Sequence, residues 1–192
     1  MIGAIIGDIV GSIYEWDNYR AKDFPLFKHN CAFTDDTVMT MAIARAFVNL
    51  NHNFTNLEEE VVKTMQEYGR NYPFAGYGIA FNSWINNPNP IPYNSFGNGA
   101  AMRVSSVSYV GRTLEEVKTL AHRVTKVTHN HKEGLRGAEA VAVAIFLARS
   151  GQKIEDIKSY INRYYYKIDF SLEGIRPIYQ FDETCQGSVP QA

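Results

Sequence analysis

The sequence predicts an all-α protein in a single compact multi-helix domain, and three observations carry that prediction. Apolar residues recur at three- and four-residue spacing through most of the chain. Several Thr-led segments read as helix N-caps. No run alternates apolar and polar residues between hairpin turns. The 192 residues suffice for one domain with a sizeable core, and neither a repeat nor a linker divides residues 1–192.

The elements follow in order. Gly7, Gly11 and Glu15 recur every four residues, which puts them on one helix face and lets another backbone approach the glycines. Residues 35–50, with Thr34 as N-cap, place Val38, Met41, Ala42 and Ala46 on one stripe. Thr55 to Glu58 reads as a capping box opening a third helix. Residues 86–98, with Pro88, Pro90 and Pro92, form a loop. Thr113 to Glu116 is a second capping box. Residues 132–149 form the strongest helix, its buried side carrying Leu135, Ala138, Val141, Ala142, Ile145 and Phe146, and residues 153–165 form another. The last residues read as a helix start with Ser188 as N-cap and Pro190 in the first turn. Truncation is the simplest reading of that ending.

Composition narrows the function. Net charge is −1 with no large basic block, so binding to nucleic acid through its phosphates is not expected. Cys31 and Cys185 stand far apart outside any CxxC pattern and read as reduced thiols. Residues 1–14 are apolar but lack a basic flank and are interrupted by Asp8 and three glycines. They form neither a signal peptide nor a membrane span, which needs roughly 20 apolar residues. A cytoplasmic location is the default.

Four segments can carry chemistry. Phe33-Thr34-Asp35-Asp36-Thr37 sets two carboxylates and two hydroxyls at a helix start. Such oxygens suit a hard cation, although alone they do no more than cap a helix. Glu15, ending the glycine face, could share an acidic site or stand exposed. Ser95-Phe96-Gly97-Asn98-Gly99-Ala100-Ala101-Met102-Arg103 is a glycine-rich loop entering a helix. Its N–H groups could meet a phosphate, though it lacks the lysine of a P-loop and a plain turn would look the same. Thr128-His129-Asn130-His131-Lys132-Glu133-Gly134 suits a substrate-contacting loop or a solvated turn; histidines two apart diverge on a helix and do not complete a zinc site.

Together and in order, GDxxGxxxE, FTDDT, GNGAAMR, THxHxEG and DETCQGSVPQA resemble the ADP-ribosylglycohydrolase family, which includes the dinitrogenase-reductase-activating glycohydrolases. The resemblance runs from Met1 to Ala192. It implies an all-α fold with a binuclear Mg²⁺ site, sometimes Mn²⁺, and hydrolysis of the bond joining ADP-ribose C1″ to a protein side chain or related acceptor. It makes Thr34, Asp35 and Asp36 metal ligands and sets Glu15 beside them as ligand or acid/base; Glu15, Asp35 and Asp36 are then the catalytic candidates. Asn98, Gly99, Ala100, Met102 and Arg103 would cradle the diphosphate and distal ribose, and His129, His131 and Glu133 would contact the adenosine side. The expected partner is ADP-ribose or an ADP-ribosylated protein.

The family's further motif, resembling GGDxDT, has no counterpart here. That absence implies a weakened metal pair, impaired hydrolysis and apolar surface that favours self-association. The other reading is a catalytically inactive ADP-ribose or nucleotide binder of the same fold.

Overall fold

The computed structural model describes residues 1–192. Ten α-helices, interrupted by short 3₁₀ turns, follow in order: α1 Ile2–Gly11, α2 Asp35–Leu50, α3 Leu57–Asn71, α4 Ile79–Asn86, α5 Val107–Val110, α6 Leu114–Thr125, α7 Lys132–Arg149, α8 Ile154–Tyr164, α9 Leu172–Ile175 and α10 Cys185–Ser188. No strand forms; one isolated bridge joins Gly97 to Thr184. No helix is long and apolar enough to cross a membrane.

The core lies between α2, α3, α6 and α7, where Met39, Ile43, Val61, Met65, Val117, Val124 and Val143 are fully buried. Each contributes about 1.5–3 kcal/mol by leaving water. The buried stripe of α2 is Val38, Met39, Ala42, Ile43, Ala46 and Phe47. Met41, expected inside, is 38% exposed: the stripe is rotated by a residue, because α2 packs against both α1 and α3. On α7 the fully buried positions are the small ones, Gly134, Gly137, Ala138, Ala140 and Ala142, with Val143. Elements crowd this helix on several sides, so small residues set the close contacts. Leu135, Val141, Ile145 and Phe146 are only half-buried.

The caps are partly as expected. Thr113 accepts from Glu116 N at 3.2 Å, and Glu116 reaches back to Arg112 N at 2.8 Å. The Thr55 capping box does not form. Asn56 occupies the N-cap, the Thr55 hydroxyl donates to Asn53 Oδ1 at 2.8 Å, and Glu58 pairs with Arg123 and Lys126 across to α6. Thr184, not Ser188, caps the last helix by accepting from Gly187 N at 3.0 Å. Nor does α1 run on to Glu15: it ends at Gly11, and Glu15 opens a separate 3₁₀ turn.

α1 is apolar on every side except Asp8, yet none of its residues is buried; Ile2 is 74% and Ile6 46% exposed. Only α2 packs closely on it.

Candidate functional site

The site begins where α2 begins. Thr34 is extended (φ −121°, ψ −164°), and its hydroxyl oxygen accepts weakly from Asp36 N at 3.4 Å. Its hydroxyl donates to Asp8 Oδ1 at 2.6 Å. Asp8 Oδ2 accepts from Thr34 N at 2.8 Å and Thr37 N at 3.1 Å. Asp8, borne on α1, therefore satisfies the free N–H groups at the start of α2 and places its charge at the positive end of that helix. Asp8 belongs to the GDxxGxxxE motif, but sequence alone assigns it no role. The available signal was a lone carboxylate inside an apolar helix, which is costly unless partnered.

Four carboxylates act on one another here. Burial, then Asp36, Glu15 and Asp8, push Asp35 up to about 7. Burial, then Asp8 and Glu15, push Asp36 up to about 6, against the opposing hydrogen bond from Thr34. Glu15 is raised by burial first, then by Asp8 and Glu183. No Lys, Arg or His forms an ion pair with Asp8, Glu15, Asp35 or Asp36. An oxygen-only, like-charged group without a counter-cation has the donor chemistry that hard divalent ions take. It is not a closed cage: no three Asp, Glu, His or Cys side chains are gathered into one coordination set. An ion held by one or two carboxylates keeps several waters, as Mg²⁺ commonly does.

Glu15, Thr34 and Asp36 line a cleft of about 490 Å³. Gly7 and Gly11 of α1 share their wall, Asn98, Ala101, Met102 and Ser105 line it from the chain's middle, and Phe181, Ser188 and Val189 from its end. Two expectations change here. No atom lies within 4 Å of where a Cβ would stand on Gly7 or Gly11, so these glycines widen an open wall instead of admitting a second backbone. Asp35 does not line the cleft. Its Oδ1 lies 3.8 Å from where a Cβ on Gly76 would stand, on the side of Tyr77, whose hydroxyl is pushed up to about 12 by burial and Asp35.

The glycine loop is less open than expected. Gly97 N donates to Ser95 Oγ and Asn98 N to Glu183 O, while the N–H groups of Ala100, Ala101 and Met102 bond back to Gly97 and Asn98 carbonyls. Only Gly99 N is left without a partner between Gly97 and Met102. Asn98 and Met102 reach the cleft, whereas Ala100 is fully buried. Arg103 does not reach it: at 1% exposure its guanidinium sits in the core, donating to Thr128 Oγ1 at 2.6 Å, with its Cζ 5.9 Å from the Phe81 ring centre. A side chain so enclosed contacts no ligand directly in this conformation.

His129 is also buried, at 4% exposure, behind that loop. His131 is the N-cap of α7 and accepts from Glu133 N at 3.1 Å. Glu133 pairs with Arg136 at 3.4 Å. None of the three lines the cleft. Ser105, which does, was missed; its buried hydroxyl has no partner, and a serine in an apolar stretch gives no sequence signal.

One carboxylate of the acidic helix start, Asp36, thus shares a cleft with Glu15 and with part of the glycine loop in an all-helical chain. The sequence profile of the family described as ADP-ribosylglycohydrolase matches residues 1–188. The chain belongs to that family. Among its relatives are ADP-ribosylhydrolase ARH3 of Xenopus tropicalis, 28% identical over 178 residues, and of Homo sapiens, 27% identical over 192 residues. Each match takes in 79% of this chain, against 50% and 49% of the respective relative. The Mus musculus protein of the same name is 27% identical over 189 residues. The chain spans about half the length of the relatives it matches.

Proposed function

We propose that the cleft takes the ADP-ribose portion of a modified protein side chain, and that the chain acts in hydrolysing the glycosidic bond with divalent ions, Mg²⁺ or Mn²⁺, held by Glu15, Thr34, Asp35 and Asp36. One observation carries this reading: Glu15, Thr34 and Asp36 share a cleft with Asn98 and Met102, and no protein cation neutralises their carboxylates. Family membership and the similarity to ADP-ribosylhydrolases support it. When bound, the ions supply positive charge for ribose hydroxyls and carboxylates together.

The chain's own residues divide the remaining work. Asp8 fixes the Thr34–Thr37 turn, so Asp36 and Thr34 hold their geometry before any ligand arrives. Glu15 holds its proton more tightly than an ordinary carboxyl, which suits a group that takes a proton from water and returns it to the leaving atom. The neighbouring acids stabilise oxocarbenium character at C1″. The cleft volume falls in the range of small-molecule sites, about 300–1,000 Å³.

A second reading, ADP-ribose binding without turnover, is favoured by the open donor set, which lacks three convergent acidic side chains. Release of ADP-ribose from an ADP-ribosylated protein separates the two. The first reading gives release that chelator abolishes and Asp35→Asn with Asp36→Asn removes. Binding without release, indifferent to chelator, establishes the second. The exposed apolar surface of α1 also supports self-association, for which light scattering at rising concentration is the test.

A further inference from the structure

Arg103 raises a question that family membership does not answer. It is a guanidinium at 1% exposure with no carboxylate partner, and its Nε has no partner at all. A buried charge without a counter-ion is costly, so its placement calls for a reason. Its one side-chain hydrogen bond, from Nη2, goes to Thr128 Oγ1 at 2.6 Å. That oxygen lies 2.6 Å from His129 Nδ1 and 3.5 Å from Thr125 O.

These distances fix the protons. Thr128 accepts from Arg103 and has one hydrogen to give. A contact of 2.6 Å is a normal hydroxyl hydrogen bond, while 3.5 Å is too long to compete. The hydroxyl therefore donates to Nδ1, which must be bare, and the neutral ring carries its proton on Nε2. The charge on Arg103 polarises the hydroxyl and strengthens that donation. Burial first, then Arg103, push His129 down to about 2, in keeping with a neutral ring.

Nε2 has no hydrogen-bond partner of its own and, unlike Arg103 Nε, is not sealed from solvent. A Cβ built on Gly99 would stand 3.6 Å from it and one on Gly97 3.7 Å, so it faces the glycine loop where Gly99 N is also free.

We propose that Arg103 and Thr128 are positioning residues: a buried relay from Arg103 through Thr128 to His129 locks the ring in its Nε2–H form and presents that hydrogen, beside the Gly99 N–H, to an anionic group of the ligand. Arg103 thereby serves the ligand without touching it. The assignment of the anion to the diphosphate of ADP-ribose rests on the proposed function; the relay itself does not.

The test joins long-range ¹H–¹⁵N NMR of the histidine rings to ADP-ribose titration, on the wild-type chain and on Thr128→Val and Thr128→Ser. The expected wild-type result is a bare Nδ1 and a protonated Nε2 on His129. Thr128→Ser keeps that pattern and the wild-type affinity. Thr128→Val moves the proton population toward Nδ1 and weakens ADP-ribose about tenfold, with circular dichroism unchanged. A wild-type His129 protonated on Nδ1 overturns the relay without needing any variant. So does Thr128→Val with the wild-type ring pattern. A changed ring pattern with unchanged affinity overturns the positioning role. A wild-type chain that binds no ADP-ribose, yet shows the Nε2–H ring, contradicts the proposed function and leaves the relay standing.

Discussion

The Thr34 hydroxyl donates to Asp8 Oδ1 at 2.6 Å, and this contact joins the first helix to the acidic start of the second. Through the same carboxylate, Thr34 N and Thr37 N are also satisfied. Asp8→Ala removes three charge-assisted hydrogen bonds and leaves the α2 N–H groups unpartnered. Urea unfolding should show a loss of about 2–3 kcal/mol. Asp8→Asn, which keeps an acceptor, should lose less.

The carboxylates give the metal-free chain a distinctive pH response. Asp35 and Asp36 titrate near 7 and 6 in the folded state, above the ordinary carboxyl value. Folding therefore tightens their hold on protons, so ionising them costs stability. The cost is absent only below the ordinary carboxyl value of 3.8, grows as pH rises from about 4 through 6 and 7, and is complete near pH 8. Thermal melts should place Asp35→Asn with Asp36→Asn several degrees above wild type at pH 8, at about 2–4 °C per kcal/mol for a chain of this size. The gap should narrow steadily below pH 6 and close only near pH 4. A gap independent of pH counts against this electrostatic picture.

Gly134 lies where α7 meets the glycine loop. A Cβ there would stand 2.7 Å from the Ser95 carbonyl oxygen and 3.1 Å from the His129 Cβ. The first contact is backbone and cannot swing aside. Gly134→Ala should cost about 1–3 kcal/mol, as overpacking does, and should weaken ADP-ribose by shifting the loop. Parallel unfolding and binding curves check both effects.

In the proposed reaction, Glu15 serves the chemistry more than the fold. It is raised by burial and by like charges, and it has no ion-pair partner. Glu15→Gln should leave the melting temperature unchanged or slightly higher. If Glu15 transfers protons, ADP-ribose release should fall about 100-fold or more. Equal release rates in the two proteins would remove it from the chemistry.

The helices were legible because amphipathic periodicity and Thr caps are local signals. Thr34 and Thr113 cap as their spacing predicts. Thr55 misled because Asn53 captures its hydroxyl, a choice set by the preceding turn. The cleft membership of Glu15, Thr34, Asp36, Asn98 and Met102 followed from motifs read together. Arg103 and His129 did not follow. A sequence shows a cation beside glycines, but whether it faces the ligand or the core depends on tertiary contacts such as Thr128 and Phe81. Asp8 was equally hidden, since its partners lie 26 and 29 residues away.

Calorimetric titration with Mg²⁺ at pH 7.5 bears most directly on the acidic cleft. Wild type should give saturable binding, and Asp35→Asn with Asp36→Asn should give none while remaining folded. Equal heats from both proteins, or no binding by wild type, would contradict the assignment of these oxygens to a divalent ion.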